Sequence, residues 1–230
     1  MNYLSVENLS KNYGEKSLFT DISFGIDQGQ KIALVAKNGS GKTSLLNCLT
    51  GKDTPDSGKV VFRKGVNVGY LQQEADYDEE LTVYQTVFET ENEGLLAMKE
   101  YTKCLENPDN SEALQEAFDK VTELDAWNKE SDIEEILSKL RLNNLEEKVR
   151  LLSGGQRRRL SLAKVIIEQP DLLILDEPTN HLDLDMIEWL ENYLSTSNVA
   201  LFMVTHDRYF LERVCNEIIE LDNGKLYKYK

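Results

Sequence analysis

The sequence predicts an α/β fold: a parallel sheet with covering helices, interrupted by a helical insertion. Three observations predict it. Short apolar runs at 32–35, 172–175 and 199–204 have the length and composition of buried strands. Between the last two runs, Leu184, Ile187, Leu190 and Leu194 recur at helical spacing, and strand–helix–strand alternation implies parallel pairing. From 82 to 141 the strand pattern gives way to apolar stripes at helical spacing.

Taken in order, residues 3–35 read as short strands. Tyr3, Ser5 and Glu7 alternate with Leu4, Val6 and Asn8, and turns fall at Asn12-Tyr13-Gly14 and at Asp27-Gln28-Gly29-Gln30. The run Ile32-Ala33-Leu34-Val35 is the next strand, and Ser44-Leu45-Leu46-Asn47-Cys48-Leu49 begins a helix. A turn at 55–58 precedes strands at 59–62 and 66–71, and Gln72-Gln73-Glu74 comes after the second of these. Thr82 and Gln85 have the spacing of a capping box. One stripe then runs loosely through Val83, Val87, Phe88, Leu95, Met98 and Leu105, and Asn107-Pro108-Asp109-Asn110 breaks it. Leu114, Ala117, Phe118, Val121 and Leu124 form a second stripe, and Ile133, Ile136, Leu137 and Leu140 a third. The expected division is therefore a core of 1–81 with 142–230, and a helical insertion of 82–141 containing an antiparallel hairpin. These stripes read as packing rather than as a ligand site.

Composition narrows the function classes. The 230 residues suffice for one large α/β domain with a subdomain. A net charge of −15 argues against a generic polyanion binder, while leaving room for a local basic patch. Cys48, Cys104 and Cys215 are far apart and odd in number, which predicts reduced thiols and a cytoplasmic setting. His181 and His206 lack Cys or His neighbours at ligand spacing, so zinc is not expected. The first residues lack the basic flank and apolar core of a leader, and no apolar run nears the roughly 20 residues that span a bilayer.

The chemistry concentrates in three strings. In Val35-Ala36-Lys37-Asn38-Gly39-Ser40-Gly41-Lys42-Thr43, a strand, a glycine loop ending in Lys-Thr and a helix make a phosphate-binding P-loop. Glycines let consecutive N–H groups turn toward an anion, and the helix N-terminus adds partial positive charge. Lys42 can reach β- and γ-phosphates, and the Thr43 hydroxyl can hold Mg²⁺. Ala36 replaces the glycine that usually opens the motif, which predicts negative φ there. The second string is the strand 172–175 ending in Asp176-Glu177: Asp176 suits the Mg²⁺ shell and Glu177 can deprotonate a water. The third, Leu152-Ser153-Gly154-Gly155-Gln156, opens a helix with Leu160, Ala163, Ile166 and Ile167 on one face. Ser153 and Gln156 fit a capping box, and the paired glycines also leave N–H groups for an anion.

Together these strings resemble the ATP-binding cassette (ABC) ATPase family across nearly the whole chain. The resemblance implies a P-loop ATPase core with an antiparallel β-subdomain and an α-helical arm, using ATP and Mg²⁺. It implies that Tyr13 stacks on adenine and that Asn38, Gly39, Ser40, Gly41, Lys42, Thr43 and Ser44 hold the phosphates. It further implies that Thr43, Gln73 and Asp176 hold Mg²⁺, with Gln72 the neighbouring alternative to Gln73, and that Glu177, His206 and Gln73 serve hydrolysis. Ser153, Gly154, Gly155 and Gln156 would cap the ATP of a second cassette, and Asp183 would belong to the D-loop, so a single cassette would hydrolyse weakly. The strings 177–183 and 206–211 look like the ABC-F branch, closest to its Uup-type members: paired cassettes, many acting on the ribosome. On that reading the chain is the N-terminal cassette of a longer protein, with the ribosome as partner and 141–164 as a locally basic face. The alternatives are the ATP-binding subunit of a membrane transporter and, less well matched for want of long coiled coils, a DNA-maintenance ATPase.

Overall fold

The computed structural model describes residues 1–71, 77–88, 93–106 and 111–229. The chain forms two compact units, Met1–Gln73 with Pro170–Lys230, and Glu74–Gln169. The first unit opens with β1 (Asn2–Tyr13), β2 (Lys16–Asp27), β3 (Lys31–Ala36), α1 (Lys42–Leu49), β4 (Ser57–Phe62) and β5 (Val68–Leu71). The second holds α2 (Val83–Phe88), α3 (Glu93–Glu106), α4 (Ser111–Glu123), α5 (Lys129–Lys139) and α6 (Gly154–Ile167). The chain then returns to the first unit with β6 (Leu172–Asp176), α7 (Leu184–Thr196), β7 (Ala200–Val204), α8 (Arg208–Val214), β8 (Glu217–Asp222) and β9 (Lys225–Tyr229).

Two sheets build the first unit. An antiparallel sheet runs β2-β1-β4, and a six-stranded sheet runs β5-β6-β7-β3-β8-β9, parallel except for the β8–β9 hairpin. β3, β6 and β7 are apolar along nearly their whole length, as strands covered on both faces must be. β1 and β2 instead alternate, burying Leu4, Val6, Phe24 and Ile26 and leaving polar residues to solvent. The buried faces meet, with the Phe24 ring stacked 5.5 Å from that of Phe202. Parallel register sets Leu34 beside Val204 and Val204 beside Asp176. Hence the ends of β3, β6 and β7 lie side by side, and the loops leaving them start from one edge of the sheet. The end of such strands is where an open α/β sheet binds its ligand.

In the second unit, Thr82 and Gln85 form the expected capping box: Thr82 N–H donates to Gln85 Oε1 at 2.9 Å, and Gln85 N–H to Thr82 Oγ1 at 3.1 Å. The loose stripe of 83–105 resolves into two helices, α2 and α3. α3 packs on α4 around Ala97, Val121 and Ala126. Tyr101, Phe118 and Trp127 cluster beside them, Tyr101 and Phe118 each about 5 Å from Trp127. The unit is longer than the expected insertion, extending to Gln169 rather than ending at 141. The reason is local bonding. Val83 N–H donates to Glu147 O, Tyr84 N–H to Leu145 O and Val149 N–H to Leu81 O, all at 2.9 Å, and α6 packs on α2 and α5. No described helix is long and apolar enough to cross a membrane.

Candidate functional site

The site grows from the end of β3. Ala36 is buried and still paired to Leu221, so it remains in the strand and does not take positive φ. The loop's turns fall instead on Gly39 (φ 75°) and Gly41 (φ 101°). A Cβ on Gly41 would lie 3.0 Å from Leu18 Cβ, so both conformation and space require glycine there. Gly41 is also the N-cap of α1 and supplies no side-chain acceptor, which leaves first-turn N–H groups available to an anion. Lys42 Nζ donates to Ala36 O at 2.8 Å and Lys37 O at 3.2 Å, folding back along the loop. Ser40 Oγ is buried with no hydrogen-bond partner. An orphaned hydroxyl and an uncapped helix in one loop fit a bound phosphate.

Asp176, the last residue of β6, is buried. Glu177 comes next with φ 48°, its N–H donating to Val204 O at 2.8 Å. That bond turns the chain out of the strand. The Glu177 carboxylate reaches the segment after β7: Oε2 accepts from the His206 backbone N–H at 3.3 Å, and Oε1 lies 3.5 Å from His206 Nε2. Burial pushes the Glu177 carboxyl above its ordinary value, and the neighbouring Asp176 adds to the rise. The His206 backbone donor, the His206 ring and Lys42 pull the other way. Asp207 caps α8, accepting from Tyr209 and Phe210 N–H at 3.1 Å, and so holds His206 at the start of that turn.

These groups surround one open cleft of about 480 Å³ in the first unit. It brings together Tyr13 with Asn38, Gly39, Gly41, Lys42, Thr43 and Ser44 of the loop, and with Asp176, Glu177 and His206. Ser40 lies within the same loop. Tyr13 is 80% exposed at the end of β1, a free ring face at the rim. Gln73 lies outside the described residues. Asp183 does not line the cleft; it caps α7, accepting from Met186 N–H at 3.2 Å. Lys16 and Leu18 also line the cleft, and no motif in the sequence singles them out. Gly14, with φ 60° in a two-residue turn between Tyr13 and Lys16, is the signal that would have placed Lys16 opposite Tyr13. For a metal, the Thr43 hydroxyl and Asp176 carboxylate are hard oxygen donors. Among the described residues no three His, Cys, Asp or Glu side chains gather into a protein-only cage. Two donors without a cage suit Mg²⁺ shared with substrate phosphates.

Ser153-Gly154-Gly155-Gln156 opens α6 in the second unit. Its capping box is complete: Ser153 N–H donates to Gln156 Oε1 at 2.9 Å and Gln156 N–H to Ser153 Oγ at 3.2 Å. The neighbouring cations are engaged. Lys148 lies 2.8 Å and Arg150 3.1 Å from Glu80, Arg157 lies 2.9 Å from Glu79, and Arg159 donates to Leu140 O at 3.0 Å. Glu79 and Glu80, from outside the segment, thus pair with Lys148, Arg150 and Arg157, while the segment 141–164 still carries more cations than carboxylates.

A phosphate loop, a carboxylate pair and a histidine at adjacent ends of a parallel sheet define a P-loop nucleotide-binding cassette. The sequence profile of the ABC transporter family matches residues 19–180, and the chain belongs to that family. It is 37% identical to the energy-dependent translational throttle protein EttA of Mycobacterium tuberculosis, over 98% of this chain and 42% of that protein. It is 35% identical to ABC transporter F family member 2 of Arabidopsis thaliana, over 95% of this chain and 34% of that protein. The chain therefore spans less than half the length of these relatives. A solved ATP-binding subunit of an ABC transporter shares the fold with a TM-score of 0.75 at 22% identity, covering 99% of this chain and 90% of that one.

Proposed function

We propose that this chain is the ATP-binding and ATP-hydrolysing cassette of an ABC-F protein that works in the cytoplasm on the ribosome. The observation that carries the ATPase reading is the gathering of the Lys42 loop, Asp176 and Glu177 around one cleft. In this reading Tyr13 stacks on adenine, and Asn38, Gly39, Ser40, Gly41, Lys42, Thr43 and Ser44 hold the phosphates. Thr43 and Asp176, with Gln73, would hold Mg²⁺, which when bound would offset the negative charge of the phosphates. Glu177 takes the proton of a water attacking the γ-phosphorus, and ADP and phosphate leave. His206, touching both carboxylate oxygens of Glu177 through its backbone and ring, orients that base. Ser153, Gly154, Gly155 and Gln156 face the ATP of a second cassette, with Asp183 at the junction. That second cassette is supplied by the same polypeptide or by another copy.

Glu177→Gln keeps ATP binding and lowers turnover by roughly 10²–10⁴-fold in a paired-cassette protein. Near-normal turnover removes Glu177 from this role. The ribosomal part rests on the 177–183 and 206–211 strings and on the names of the translational-throttle and F-family relatives. The full-length protein with both catalytic glutamates changed to Gln co-sediments with ribosomes in ATP. If it tracks with membranes instead, the transporter-subunit reading replaces this one.

A further inference from the structure

We propose that Lys16 is a nucleotide-positioning residue, holding the Gly39–Ser40 peptide of the phosphate loop in the orientation that receives a phosphate chain. The inference rests on the reading of the cleft as an ATP site. Lys16 Nζ donates to Gly39 O at 3.1 Å. Gly39 sits at φ 75°, and a Cβ there would meet nothing within 4 Å; the N–H side of the peptide is tied by a long bond, Ser40 N–H to Lys37 O at 3.3 Å, and its carbonyl side is held by Lys16. Glycine at such a φ turns its flanking peptides easily. Turned inward, the Gly39 carbonyl would present negative charge to an incoming phosphate. Held outward by a lysine, it leaves the loop's N–H groups as the inner surface. Lys42 does the same for Ala36 O and Lys37 O. Two lysines thus hold carbonyls of one loop.

Lys16 is placed for this by the β1–β2 hairpin. It pairs directly with Tyr13 across the two-residue turn, and directly opposed residues project from the same face of a sheet. One two-residue turn therefore carries both the exposed Tyr13 ring and the cation on the loop. Charge points the same way. Lys16 and Lys42 face Asp176 and Glu177 in the cleft, and removing Lys16 tips this balance against a polyanion.

The test is binding of Mg·ATP and of tripolyphosphate to this chain and to its Lys16→Met, Lys16→Arg, Tyr13→Ala and Lys42→Ala variants. Lys16→Met weakens both ligands by the same factor, roughly three- to tenfold. Lys16→Arg restores both to within twofold, and thermal unfolding of the two Lys16 variants matches wild type because the side chain is exposed. Tyr13→Ala weakens ATP and spares tripolyphosphate. If Lys16→Met binds both ligands within twofold of wild type, or Lys16→Arg is as weak as Lys16→Met, the proposal falls. If Lys42→Ala has then still lost ATP, the cleft reading stands without it. Wild-type protein that binds no ATP overturns both.

Discussion

Glu177 shows how a single residue can be read from its surroundings. Its carboxyl is partly buried, and burial raises its proton affinity more than His206 and Lys42 lower it. A base works only when ionised, and a raised value means the ionised form is lost at a higher pH as acid is added. The acid limb of kcat/KM for ATP hydrolysis in a paired-cassette protein should therefore lie above the roughly 4.3 of an ordinary glutamate. A limb at or below that value contradicts the assignment. Stability carries the opposite lesson. A folded-state value above the unfolded one gives a stabilising contribution at low pH that is lost as pH rises through the folded value. The carboxylate thus costs stability at neutral pH, and the Glu177→Gln protein should melt no lower than wild type. That control separates lost chemistry from lost structure.

At the scale of elements, short helices depend on their caps. α8 has seven residues, and Asp207 satisfies two of its free N–H groups. Asp207→Ala should cost about 1 kcal/mol, within a range of roughly 0.5–2, lowering Tm by about 2–4 °C. Calorimetry checks this, and an unchanged Tm would mean the cap is dispensable. The elements also show what the sequence made legible. β3, β6 and β7 are evident as runs because burial on both faces leaves no polar alternation to confuse them. The P-loop and the Asp176-Glu177 turn are evident because their chemistry demands specific residues at short spacing. The strings could not reveal pairings distant in sequence. Nothing in 145–149 announces backbone bonds to 81–84, so the helical unit reads as ending at 141. Nothing in the composition of 141–164 announces Glu79 and Glu80 as its counter-ions. Lys16 is hidden because its role depends on a turn and a carbonyl, neither of which leaves a residue signature of its own.

At the scale of the whole molecule, the governing facts are one phosphate loop, one Ser153–Gln156 string and a net charge of −15. The phosphate loop lies in one compact unit and the Ser153–Gln156 string in the other. If a second cassette must supply the string that caps each ATP, hydrolysis by this chain alone is second order in protein. Like charges oppose that encounter, and salt relieves the opposition because exposed charges are screened within about 8 Å at physiological ionic strength. Two measurements on the same preparation then have linked outcomes. Specific ATPase activity rises with protein concentration, and at a fixed low concentration it rises as salt is increased from about 10 to 150 mM, a span over which the Debye length falls roughly fourfold. The Glu177→Gln chain and the Ser153→Ala chain, each inactive alone, should recover activity when mixed, because the first supplies an intact capping string to the second, whose Glu177 is intact. A specific activity that is fast at every concentration, with no recovery in that mixture, would show that one chain completes its own site.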